Sequence, residues 1–310
     1  MIDKSVEWIR KNTVPKSGIV VSHKQRHPYP EVSGYYIPTL INIGERDLAK
    51  QYANYLVTIQ NPNGSFFGGW GGREYVFDTA QIVRGWVSIV DIMPELKEPI
   101  RKACDWLVRE AQPSYNKLYY GWAEHKDKAW AMMLYALWPI KQANDKLFND
   151  DKITQCIDEM IDLYISEIDI HIRYDGGDYQ AHYYMYAMEA LYDFGYDDYA
   201  KKGLEDILTY RNKEGWIPGK SYDKWICYCG NAQAALLLAR MKDQRAAHLI
   251  ELLETVQTES GGFYGSNDTQ YFSTEEISWT TKYYVDAVLE KSQLFFEDSG
   301  DLNAQIYLDP

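Results

Sequence analysis

From Gly34 onward the chain alternates between two apolar patterns. One is apolar nearly all round and recurs over 35–43, 76–90, 126–140, 179–194, 225–241 and 275–291. The other is one-sided, as over 47–60, where Leu48, Tyr52, Tyr55, Leu56 and Ile59 recur at helical spacing; it returns over 95–110, 151–167, 196–211 and 244–257. Both spacings predict helices. A helix apolar on every side belongs inside a protein, and a one-sided helix belongs at its surface. Residues 2–12 add a short amphipathic helix with Ile2, Val6 and Ile9 on one side. Thr13 to Ser33 is expected to be irregular, because Pro28 and Pro30 stand too close for regular helix.

The inner–outer alternation repeats every roughly 45–50 residues, a period that marks a repeat architecture. Six apolar helices alternate with five amphipathic ones, and the N-terminal helix can serve as the sixth outer partner. A closed ring explains why a partnerless helix opens the chain and another closes it. The expected fold is therefore all-α, one ring of six inner and six outer helices over 1–295, followed by an acidic tail over 296–310. In such a ring the inner helices run in one direction. The turns from inner to outer helix are short, such as Asp193-Phe-Gly-Tyr196 and Arg240-Met-Lys-Asp243. The loops from outer to inner helix are long and carry Gly, Trp, Tyr, His and charge. These loops collect at the N-termini of the inner helices, where free N–H groups and partial positive charge face outward. Function is expected on that face.

A formal net charge of −13 over 310 residues argues against nucleic acid as a main partner. Four cysteines without a C-x-x-C spacing are expected to be structural thiols in a reducing compartment. Residues 1–10 lack an apolar core of signal-peptide length, and no apolar run is long enough to span a bilayer. A cytoplasmic protein is expected. Oligomeric state is not legible.

The loop face holds three kinds of candidate. Glu31, Asp78 and Asp178 are carboxylates that could work as acid and base, with His125 and His182 beside them; helix capping is the alternative role for Asp78 and Asp178. Arg73, Lys126 and Lys282 are cations that could hold an anionic group. Trp70, Trp122, Trp225 and Trp279 offer stacking surface for a sugar, with Tyr35, Tyr36 and Tyr179 near them; packing is the alternative for each ring. Gln81 lies three residues after Asp78, on the same helical face. No metal-binding, P-loop, dinucleotide or nucleophile-elbow motif is present, and no metal or cofactor is expected.

Gln60-Asn-Pro-Asn-Gly-Ser-Phe66 and Gln257-Thr-Glu-Ser-Gly-Gly-Phe263 resemble the Q-x-x-x-G-x-W/F repeat of squalene cyclases and protein prenyltransferase β subunits. That resemblance implies an (α/α)6 toroid. It does not carry their chemistry, since the D-x-D-D acid motif and the Asp, Cys and His zinc ligands have no match here. The stretches His27–Thr39, Phe77-Asp-Thr-Ala-Gln81, Trp225–Gln233 and Ser278–Asp286 resemble a bacterial toroid family encoded with polysaccharide-biosynthesis genes. It is similar to the toroid domains of glucuronyl C5-epimerases, polysaccharide lyases and unsaturated glucuronyl hydrolases. This implies a glycan context. The expected function is action on an anionic or uronic-acid-containing glycan by carboxylate, His or Tyr acid–base chemistry. The alternatives are a cyclase- or prenyltransferase-like isoprenoid enzyme and a non-catalytic toroid that binds glycan or protein.

Overall fold

The computed structural model describes residues 1–68, 72–111, 131–175 and 179–299. Among them are twelve α-helices in strict inner–outer alternation. The inner helices are α2 (Pro30–Asn42), α4 (Val76–Ile89), α6 (Ala131–Ala143), α8 (Ala181–Asp193), α10 (Tyr228–Arg240) and α12 (Ser278–Ser299). The outer helices are α1 (Ile2–Lys11), α3 (Arg46–Ile59), α5 (Lys97–Ala111), α7 (Asp151–His171), α9 (Asp197–Thr209) and α11 (Arg245–Thr255). Each inner helix packs on the next, and α12 packs back on α2, so the ring closes. The N-terminal α1 packs on α12 and completes the outer layer.

Polar bonds fasten the seam. The Tyr36 hydroxyl donates to the Ser278 carbonyl at 2.6 Å, and Thr39 Oγ1 donates to Asp286 at 2.8 Å. On the outside, Ser5 Oγ donates to the Gly261 carbonyl at 2.9 Å, and Trp8 Nε1 donates to Glu276 at 2.6 Å.

The two recurring glutamines do matching work. Gln60 Nε2 donates to the carbonyls of Gly64 and Pro99, and Gln257 Nε2 donates to Gly261, Met1 and Ser5. Each glutamine thus closes its own loop and ties it to the N-terminal part of the neighbouring outer element. Gly64 and Gly261 adopt φ of +97° and +93°, and a Cβ there would collide with the carbonyls of Lys102 and Lys4. Only glycine serves both needs.

Helix α2 starts earlier than its prolines suggest. Pro30 occupies its first turn, where the missing N–H costs nothing because no carbonyl precedes it within the helix. Pro38 lies inside α2 and leaves the Gly34 carbonyl without its usual intrahelical donor. Gly85 of α4 approaches that carbonyl so closely that a Cβ would collide with it, and a Cβ on Gly34 would strike Ile82. Two glycines therefore let α2 and α4 approach closely. At the other end, α12 continues to Ser299, beyond the expected start of the tail. Among the described residues no helix is long and apolar enough to cross a membrane.

Candidate active site

The N-terminal ends of the inner helices surround a pocket of about 390 Å³. Its lining comes from the first turns: Glu31 of α2, Phe77 and Asp78 of α4, Met132 of α6, His182, Tyr183 and Tyr186 of α8, and Trp279 of α12. Tyr29, Tyr75, Gly68, Arg73 and Tyr271 complete the wall from the adjoining loops. A second cavity of about 650 Å³ opens further along the inner helices and is lined in part by Arg84, Tyr135, Glu189, Arg240, Lys282 and Asp286.

Aromatic rings separate the two spaces. Tyr35, Tyr135, Tyr186, Tyr283 and Phe77 pack with centroid separations of 4.7–6.4 Å. The hydroxyls of Tyr35 and Tyr283 are hydrogen-bonded to each other, and that of Tyr135 lies 3.5 Å from Tyr283.

Glu31 and Asp78 dominate the pocket's electrostatics. They are 3% and 6% exposed. Burial pushes the Asp78 carboxyl up to about 7, although the Tyr29 hydroxyl donates to it and works the other way. Burial, and then the neighbouring Asp78 charge, hold Glu31 well above the ordinary carboxyl range, while the hydrogen bond from Trp279 and the Lys282 charge oppose this. Trp279 Nε1 donates to Glu31 Oε2 at 3.3 Å. The other oxygen of each acid, Glu31 Oε1 and Asp78 Oδ2, is buried with no hydrogen-bond partner among the described residues. Unpaired buried polar atoms are costly and call for an explanation. In a pocket wall, a ligand that brings hydrogen-bond donors supplies one.

His182 is also buried, and burial lowers its pKa to about 4. It is a neutral imidazole at physiological pH. Its Nδ1 lies 2.7 Å from Gln233 Oε1 and 3.2 Å from Cys229 Sγ.

The structure brings Glu31, Asp78, His182, Arg73 and Trp279 together, with Arg73 exposed at the mouth. It places other sequence candidates elsewhere. Tyr35 belongs to the separating layer, and Tyr36 is spent on the ring seam. Gln81 is fully buried between the cavities, where its Oε1 accepts from Arg84 Nε at 3.1 Å. Trp225 packs on Gly219 and donates to Asp223 at 2.8 Å. Tyr179 stands beside Tyr164, away from the pocket wall. Lys282 lines the second cavity, paired with Asp286 at 2.8 Å and lying over the rings of Tyr35 and Tyr283. Trp70, Trp122, His125, Lys126 and Asp178 lie outside the described residues. Among those, no His, Cys, Asp and Glu gather as a metal site would require.

Phe77, Tyr186, Gln233 and Glu189 escaped sequence reasoning. Their signal was spacing. His182, Tyr186 and Glu189 stand at i, i+4 and i+7 on α8, one face of a helix. Glu31, Tyr35, Pro38 and Asn42 repeat that face on α2, and Cys229, Gln233, Leu236 and Arg240 on α10. A polar stripe along an otherwise apolar helix marks the ring axis.

The family model of the squalene–hopene cyclase C-terminal domain matches residues 26–136. No curated protein matches the chain. Solved structures do. An α-amylase from Clostridium perfringens aligns at 12% identity with a TM-score of 0.70, covering 94% of this chain and 98% of its own. An unsaturated glucuronyl hydrolase specific for heparin aligns at 12% identity and TM-score 0.70, covering 95% and 96%. The type II terpene cyclase MstE from Scytonema aligns at 13% identity and TM-score 0.67, covering 94% and 97%. Likenesses at such identities carry the architecture and leave the chemistry open, and by that architecture the chain is an (α/α)6 toroid.

Proposed function

We propose that the chain is a carbohydrate-active enzyme whose substrate enters the pocket at the N-terminal ends of the inner helices. One observation carries the reading. Two buried carboxyls line the same aromatic-walled pocket, and each presents an oxygen that no described residue partners. Sugar hydroxyls are donors that such oxygens can accept from, and flat rings such as Trp279 suit a pyranose face.

Asp78 and Glu31 are the acid–base pair. Burial raises both carboxyls and the charge of one opposes ionisation of the other, so the pair holds at least one proton near neutral pH. The protonated member can donate to a leaving oxygen, and the ionised member can receive a proton or support positive charge on the sugar. Arg73, exposed at the mouth, carries the charge that would attract a uronate carboxylate. The glycosidase and glucuronyl hydrolase likenesses support a sugar substrate, and the uronate rests on Arg73 and the sequence resemblance.

The test is proton NMR in D2O on a panel of uronate-containing and neutral oligosaccharides incubated with the protein. New reducing ends would mean hydrolysis, deuterium at C5 epimerisation, and olefinic protons a lyase. Unchanged spectra across the panel would sink the sugar reading. Asp78→Asn, checked for fold by circular dichroism, is expected to lose turnover by about 100- to 10,000-fold, the range for a general acid or base.

The squalene–hopene cyclase match favours a second reading. A protonated carboxyl among aromatic rings can protonate an alkene and face the resulting cation. A polyene, however, brings no donor to the unpartnered oxygens. Incubation with linear polyprenyl substrates, followed by product analysis for cyclic hydrocarbons, separates the two.

A further inference from the structure

A hydrogen-bonded row links the pocket to the second cavity. His182 lines the pocket and Glu189 lines the cavity. Gln233 of α10 stands between them. Its Oε1 lies 2.7 Å from His182 Nδ1, and its Nε2 donates to Glu189 Oε1 at 3.1 Å. Glu189 Oε2 faces the Tyr135 hydroxyl at 3.5 Å. All three members of the row are buried.

The row has a sense, fixed from the Glu189 end. Glu189 Oε1 accepts from the amide, so the amide turns its NH2 towards Glu189; burial pushes this carboxyl up to about 7, and above that pH it is a carboxylate that accepts and gives none. Its carbonyl then faces His182 and bonds only if Nδ1 carries the proton. A neutral imidazole has one N–H, which leaves Nε2 with a lone pair. No described residue hydrogen-bonds Nε2. Cys229 Sγ, 3.2 Å from Nδ1, is a weak acceptor and fits the same arrangement.

We propose that Gln233 and Glu189 are positioning residues that lock His182 as the Nδ1–H tautomer, so that Nε2 meets the ligand as a hydrogen-bond acceptor. The proposal rests on the sugar reading only in naming a hydroxyl as the ligand's donor; the tautomer needs no ligand. It also assigns a task in the pocket to a residue that lines the opposite cavity. A side chain at 189 able to donate would let the amide turn over, and His182 would then carry its proton on Nε2.

Long-range proton–nitrogen correlation spectra of the imidazoles, recorded on the full ¹⁵N-labelled chain without ligand and above the Glu189 pKa of about 7, test this. His182 is assigned by the signal missing in His182→Asn or His182→Gln. The wild type is expected to show a protonated Nδ1 and an unprotonated Nε2. Glu189→Gln is expected to move at least half of the His182 population to Nε2–H, and Gln233→Met to give a mixture of tautomers. A wild-type ring protonated on Nε2 would overturn the proposal, as would a folded Glu189→Gln protein that keeps the wild-type tautomer. If Glu189→Gln fails to fold, the wild-type spectrum and Gln233→Met decide. An inactive glycan panel beside an Nδ1–H His182 would remove the sugar reading and leave the lock standing.

Discussion

Asp78 is held where an acid is expensive. Its folded pKa near 7 lies above the ordinary value of 3.8, so the folded state holds the proton more tightly than the unfolded state does. The sign follows: this contribution to stability is complete below about pH 4 and is lost as pH rises to about 7. At roughly 1.4 kcal/mol per pKa unit, ionising Asp78 removes about 4 kcal/mol. Glu31 and Glu189 are raised by burial in the same direction. His182, depressed to about 4, works oppositely and loses its contribution as pH falls below about 6.5. A single variant isolates one share. Denaturant melts of Asp78→Asn and wild type should diverge as pH rises from about 4 to 7, the variant becoming the more stable, and run parallel above that. Constant separation across the range would show that Asp78 ionises no differently in the fold. Residues at this scale were only half legible. An acid at the start of an apolar helix is visible in sequence, but a cap and a pocket wall share that position, and only the packed ring shows Asp78 buried in the wall.

The recurring Gln–Gly loops show what a repeat motif does mechanically. In sequence they mark the fold by resemblance; in the structure, Gln257 joins α11's exit loop to α1, and Gly261 leaves room for the Lys4 carbonyl. Asn212-Lys-Glu-Gly215 repeats the turn with Gly215 at φ +98°, which the glutamine pattern hides. Gln257→Ala should lower stability by about 1–3 kcal/mol through groups left unpaired. Gly261→Ala should cost more than about 1 kcal/mol, since both φ and space oppose a Cβ. Thermal melts of the two variants test both values, and wild-type stability in Gly261→Ala would refute the close approach. Element boundaries failed in sequence where one rule masked another. Pro28 and Pro30 read as helix breakers, yet Pro30 stands in a first turn, where its missing N–H breaks no bond.

At the scale of the molecule, ring closure creates the site. Tyr35 and Tyr283 meet across the seam, as do Glu31 and Trp279, although each pair is separated by 248 positions in sequence. The face that carries the pocket was legible, because loop lengths and helix direction dictate it. The layered axis was not, since the stripes on α2, α8 and α10 acquire neighbours only when the circle shuts. The tyrosine layer across that axis makes the pocket a blind end. Among the described residues the two cavities stay separate, so under the sugar reading a long glycan is expected to offer only a terminus or a branch. Linear oligosaccharides should therefore be processed and macrocycles of the same linkage left intact; turnover of a macrocycle, followed by mass spectrometry, would show that internal bonds reach the acids. Arrival and departure also share one doorway. A spent ligand stands in the path of the next, so inhibition by product should be competitive, and escape rather than bond-breaking becomes the natural brake on each cycle.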